Sequence, residues 1–227
     1  MIARSKRSTG ASIAAGWAAI KDGVSVNLAG GTHHAFPDAG QGYCVFNDTC
    51  VAARFLQANG SIATAMIIDL DVHQGNGTAA ITDGDDSLFS FSMHCEKNFP
   101  FRKTPGDLDI ALAEGTGDHD YLQALNDGLQ QAFASFQADI VFYVSGADPF
   151  ENDRLGKFKL TKPGIRQRDE SVFKYCRERN LPVAVSMAGG YAHQVDDIVD
   201  IHFNTVQVAL DFYQQRAADL SDSESVY

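Results

Sequence analysis

Five short, largely continuous apolar runs punctuate the chain, at 24–28, 65–68, 88–93, 140–144 and 182–187. Runs of this length, bounded by Gly, Pro and Asp, read as strands, and their lack of strict alternation fits strands covered on both faces. Between them the apolar residues recur with helical spacing, predicting helices over 8–21, 47–58, 78–82, 118–136, 165–179 and 195–216. Ser8 or Thr9 suits the first helix as a cap, with Gly23 just past its end. Asn47 or Asp48 caps the second, which Asn59-Gly60 stops. Strands alternating with helices predict an α/β chain, a three-layer α/β/α domain around a mostly parallel sheet. Residues 1–227 read as one domain, with a frayed polar tail over 218–227. The stretches after Cys95 and around Glu151 to Lys159 are too long and polar for simple turns, and are expected to form a rim.

The polar residues are not scattered. Every strand ends in unusual chemistry: Gly30-Gly-Thr-His33-His34, Asp69-Leu-Asp71-Val-His73, Ser92-Met93-His94, Gly146-Ala-Asp148 and Gly189-Gly190-Tyr191. Ligands of open parallel sheets bind outside the carboxyl ends of the strands, so these five clusters should converge. Asp71, His73 and Asp148 supply three hard-to-borderline ligands with room for water and substrate, the pattern of a catalytic zinc site. His33 and His34 supply proton-transfer groups near neutral pH. Tyr191 can offer its hydroxyl to a developing oxyanion. The bland reading explains any one cluster as a cap, a core histidine or a loop tyrosine, but explains all five together poorly.

Composition narrows the picture only a little. A net charge of −11 argues against direct nucleic-acid binding. The four cysteines form no CxxC pair and read as reduced core residues in a cytoplasmic protein. No apolar run is long enough to cross a membrane, and no secretory signal opens the chain. Trp17 and the Phe-rich stretch 133–142 read as core. His94 reads as structural, and His119, His193 and His202 as surface or helix histidines.

The ordered motifs Gly30-Gly-Thr-His-His-Ala-Phe-Pro37, Gly42-Tyr-Cys-Val-Phe-Asn-Asp48, Asp69-Leu-Asp-Val-His-Gln-Gly-Asn-Gly77, Gly146-Ala-Asp148 with Asp153-Arg-Leu-Gly156, and Gly189-Gly-Tyr191 resemble those of the zinc-dependent histone deacetylase family, of the arginase/deacetylase fold. Gln74 and Ser92-Met-His-Cys-Glu-Lys-Asn-Phe-Pro100 are similar to the class IV branch and its bacterial relatives. The resemblance spans roughly residues 10 to 210. It implies one zinc per chain on Asp71, His73 and Asp148. It implies His34 as general base, His33 as its partner polarised by Asp69, and Tyr191 as the group that helps polarise the carbonyl. Gly42, Tyr43, Phe99 and Gly190 match the acyl-lysine channel, Phe99 after a one-residue shift. Asp69, Asp71, His73, Ser92 and Met93 match a monovalent-cation site, usually potassium.

Two departures accompany the resemblance. Asn76 stands where many members have an aspartate facing the catalytic histidine; an amide still orients His34 but raises its pKa less. The family also has a segment upstream of the first helix, adding strand and rim structure, and this sequence starts after it. The expected activity is hydrolysis of acyl-lysine in a peptide or protein. The rivals are a deacylase of small acetylated amines such as polyamines, a long-chain acyl-lysine deacylase, and a truncated, non-catalytic binding paralogue. Oligomeric state is not encoded in any recognisable pattern.

Overall fold

The computed structural model describes residues 1–224, with side chains to 219. The chain runs α1 (Ile2–Asp22), β1 (Val24–Asn27), α2 (Asp48–Ala58), β2 (Ala65–Asp69), α3 (Asn76–Thr82), β3 (Leu88–Cys95), β4 (Leu108–Leu112), α4 (Asp118–Ser135), β5 (Ile140–Ser145), α5 (Lys162–Arg177), β6 (Val183–Met187) and α6 (Val195–Glu224). Among the described residues the strands form one parallel six-stranded sheet in the order β1-β6-β5-β2-β3-β4. Helix α6 enters the stretch expected as a tail, and 225–227 lie outside the described residues.

The buried strands work on both faces. In β2, Ala65 and Ile67 pack with Ala19 of α1 and Leu56 of α2, while Met66 and Ile68 pack with Leu125 of α4, Phe173 of α5 and Phe212 of α6. Residues along a strand alternate faces, so this split makes the expected α/β/α sandwich. Each fully buried Ile or Leu contributes roughly 1.5–3 kcal/mol of transfer free energy. From β2 the chain steps one way, through β3 to β4, then crosses back to β5 and β6 on the other side. The carboxyl ends of β2 and β5 therefore flank the point where the winding reverses, the place where such sheets open a crevice.

Three expectations change. The expected five strands become six: β4 was hidden in the polar connection because, at the sheet edge, only Leu108 of Leu-Asp-Ile-Ala-Leu is buried. Helix α1 begins at Ile2, so Ser8 and Thr9 lie inside it and neither caps it. Trp17 is 41 % exposed on the outer face of α1 and is not core.

His202 on α6 is largely buried and its Nδ1 has no hydrogen-bond partner among the described residues. Burial, helped by the nearby Arg168 charge, pushes its pKa down to about 4. The unfolded chain, titrating near 6.5, therefore takes up the proton first. This contribution is present above about pH 6.5 and is lost as pH falls toward 4. Urea unfolding should show wild type losing on the order of 2 kcal/mol relative to His202→Leu between pH 7 and pH 4. A pH-independent difference would exclude the assignment.

Candidate active site

The loop after β1 presents the paired histidines, and a buried carboxylate holds it in place. Asp48, fully buried at the start of α2, accepts hydrogen bonds from Thr32 N (2.7 Å), Thr32 Oγ1 (2.6 Å) and Ser12 Oγ (2.5 Å). Asn47 takes the capping role instead, accepting from Cys50 N. The sequence presented Asp48 only as an alternative cap, and its anchoring role required the fold.

His33 Nδ1 lies 2.5 Å from Asp69 Oδ2, as expected, with Asp71 Oδ1 3.8 Å from its other nitrogen. Burial opposes protonation of His33, but the two carboxylates outweigh it and raise its pKa to about 9. His34 takes the opposite course. Burial, then the positive charge of His33, push it down to about 3. Its Nδ1 lies 2.7 Å from Asn76 Oδ1, while Asn76 Nδ2 donates to Gln41 Oε1. That arrangement assigns the His34 proton to Nδ1 and leaves Nε2 with a lone pair.

Asp71, His73 and Asp148 bring one ligand atom each within 4.8 Å of one another. His73 Nδ1 is 2.9 Å from Asp71 Oδ1, with which it hydrogen-bonds, and 3.2 Å from Asp148 Oδ2. The second approach lacks hydrogen-bond geometry, so Asp148 Oδ2 stays buried without a hydrogen-bond partner among the described residues. Asp148 Oδ1 accepts from Val72 N at 2.9 Å, and Asp71 Oδ2 from Gly189 N at 3.0 Å. A Cβ on Gly146 would stand 2.8 Å from Asp148 Oδ1 and 3.0 Å from Asp71 Oδ2, and one on Gly189 would collide with Asp148 Oδ2. The cradle thus needs glycine on two sides.

Its electrostatics call for a cation. Burial and then the Asp71 charge raise Asp148 to about 7. His73 is driven up to about 11, against burial, by the Asp148 and Asp71 carboxylates. Two buried carboxylates, an imidazole and an unpartnered carboxylate oxygen fit a divalent metal.

A cavity of about 700 Å³ opens over this cluster, lined among others by His33, His34, Tyr43, Phe99, Gly190 and Tyr191. Phe99 meets the His34 ring edge-on at 4.9 Å between centroids. Gly42 also lines the cavity, whereas Tyr43, at φ 64°, is 88 % exposed at its mouth. Tyr191 is part-buried, and burial raises its phenol pKa. The fold brings the zinc, proton-transfer and channel residues expected from the sequence into one cavity. Of the monovalent-cation set, Ser92 is the register partner of Asp69 and Met93 is fully buried. His94 is buried beside Ser92 Oγ at 3.1 Å, apart from the metal-type cluster.

Arg168, which the sequence did not single out, is fully buried behind the site. Its guanidinium donates to Gly146 O (2.6 Å), Leu70 O (3.3 Å) and Ser145 Oγ (2.9 Å), and pairs with Asp169 at 2.8 Å. It ties together the ends of β2 and β5, from which Asp71 and Asp148 project.

Residues 1–206 match the family model described as the histone deacetylase domain. The chain is 42% identical over 213 residues to an uncharacterized protein of Picosynechococcus sp., covering 94% of this chain and 71% of that protein. It is 34% identical over 189 residues to Histone deacetylase 2 of Arabidopsis thaliana, covering 82% of this chain and 49% of the relative. The crystal structure of an HDAC homolog from Aquifex aeolicus superposes with a TM-score of 0.76 at 25% identity, over 91% of this chain and 57% of that one. The chain thus spans about half the length of the Arabidopsis and Aquifex proteins.

Proposed function

The chain belongs to the histone deacetylase family, and on that premise we propose that it is a zinc-dependent hydrolase removing acyl groups from the ε-amine of lysine. The observation that carries this reading is three metal-type donors meeting a neutral histidine and a phenol in one cavity. Zinc held by Asp71, His73 and Asp148 would supply Lewis acidity toward an amide carbonyl and a water molecule.

His34 does the proton work. Burial keeps it neutral at physiological pH, and its lone pair lies on Nε2 because Nδ1 is committed to Asn76. Nε2 takes a proton from the attacking water as the new C–O bond forms. It returns that proton to the lysine nitrogen as the C–N bond breaks, leaving a carboxylic acid and a free amine. His33, kept cationic beside Asp69 and with its ring centroid 4.1 Å from that of His34, helps hold His34 neutral. The Tyr191 phenol stays protonated and donates a hydrogen bond to that oxyanion. Phe99 supplies apolar wall for the lysine stem. The monovalent-cation role of Asp69, Asp71, His73, Ser92 and Met93 belongs to this proposal through the family resemblance.

His34→Ala should lower kcat by roughly 10²–10⁴-fold and Tyr191→Phe by roughly 10²–10³-fold, each with zinc retained. Turnover of an acetyl-lysine peptide alongside elemental analysis checks both. Either variant within about threefold of wild type would remove that residue from the mechanism.

A cavity of about 700 Å³ leaves room beyond an acetyl group and a lysine stem. That favours long-chain acyl-lysine as the second reading, read by the ratio of kcat/KM for myristoyl- and acetyl-lysine peptides.

A further inference from the structure

Tyr191 follows Gly189-Gly190 and lies between β6 and α6, in neither element. No ladder of its own fixes the phenol. What grips the Tyr191 backbone is the rim loop after β5. Tyr191 N donates to Asp153 Oδ2 at 2.5 Å, and Tyr191 O accepts from Arg154 N (3.2 Å) and Arg154 Nε (2.8 Å). An isolated antiparallel bridge pairs Asp153 with Ala192, the next residue.

We propose that Asp153 is a positioning residue for Tyr191, clamping its backbone so that the phenol stays at the cavity wall. The proposal rests on the hydrolase reading above, in which Tyr191 meets the oxyanion. One carboxylate spans two tasks. Oδ1 accepts from Leu155 N and Gly156 N, each at 2.8 Å, and closes the rim turn. Oδ2 is left for Tyr191, and a charged acceptor makes the stronger hydrogen bond.

The turn is itself anchored. Asp153 N donates to Phe150 O at 3.0 Å, and a Cβ on Gly156 would collide with the backbone carbonyl of Asp148, so the loop lies directly against the backbone that carries that carboxylate. Asn98 Nδ2 donates to Leu155 O at 2.9 Å, linking the same turn to the segment carrying Phe99. Asp153 thus sets the distance between Tyr191 and the Asp148 side of the cavity. A side chain that only closed its own turn would leave Tyr191 untouched when lost.

The experiment combines kinetics with 3-fluorotyrosine ¹⁹F NMR on the full chain, which has seven tyrosines. The Tyr191 signal is identified by its absence from Tyr191→Phe. Asp153→Ala should lower kcat roughly ten- to a hundredfold, change KM less than about threefold, and move the Tyr191 resonance toward that of a mobile, solvated tyrosine in metal-free and zinc-loaded protein alike. In the Tyr191→Phe background the same change should cost less than about twofold. Asp153→Asn, which keeps one acceptor oxygen, should fall between and carries the comparison if the alanine variant does not fold. An unmoved Tyr191 resonance in the Asp153 variants, or an equal loss of kcat in the Tyr191→Phe background, overturns the proposal. A wild-type protein that hydrolyses no acylated amine would instead overturn the hydrolase reading, and the NMR comparison still decides the role of Asp153.

Discussion

Asp148→Asn should bind zinc at least about 100-fold more weakly than wild type, since losing a direct ligand costs more than losing a supporting contact. It should also melt higher than wild type when both are metal-free. The two effects share one cause. Asp148 and Asp71 are buried carboxylates in one cluster, and burial together with the Asp71 charge raises Asp148 to about 7. Without a metal, their repulsion is only partly relieved by His73. An isosteric amide removes the repulsion while its oxygen keeps the bond from Val72 N, now 2.9 Å. A gain on the order of 1 kcal/mol raises Tm by roughly 2–4 °C in a chain of this size. Adding zinc should then raise the wild-type Tm far more than that of Asp148→Asn. Thermal melts with and without zinc measure both signs. His94→Ala, outside the cluster, should keep the zinc response.

The second large effect is on the fold. Arg168→Ala should cost about 3–5 kcal/mol, because it leaves a buried carboxylate uncompensated. Asp169 is fully buried and also accepts from Tyr143 OH (2.5 Å) and Thr205 Oγ1 (2.6 Å), neither of which can replace a positive charge. The carbonyls of Leu70 and Gly146 lose their donor too. Against a typical stability of about 5–15 kcal/mol, that loss is a large share of the total. In urea the midpoint should fall steeply, and Arg168→Met/Asp169→Asn should recover part of the loss by removing both charges. A double variant no more stable than Arg168→Ala would show that the pair acts through packing rather than charge.

These two residues mark what the sequence makes legible. Asp71, His73 and Asp148 stand out because each follows a strand, and carboxylates and imidazoles clustered at strand ends have few structural explanations. Tyr191 stands out because glycines precede it. Arg168-Asp169 does not, since a basic and an acidic neighbour on a helix look like any solvated pair, and only the fold shows both fully buried. Asp48 is equally silent: beside Asn47 it reads as a cap, and its partners Ser12 and Thr32 come from separate segments. The central strands were visible because burial on both faces makes them apolar throughout. Strand β4, with one neighbour and exposed Asp109 and Ala111 alternating with half-buried Ile110 and Leu112, carries no such signature.

The most direct test measures zinc content and amide hydrolysis on the same purified chain. The account predicts about one zinc per chain and turnover of acetyl- or long-acyl-lysine peptides that chelation abolishes and zinc restores. One zinc per chain with no turnover of any acylated lysine or small acylated amine would contradict it, as would hydrolysis that survives complete removal of the metal.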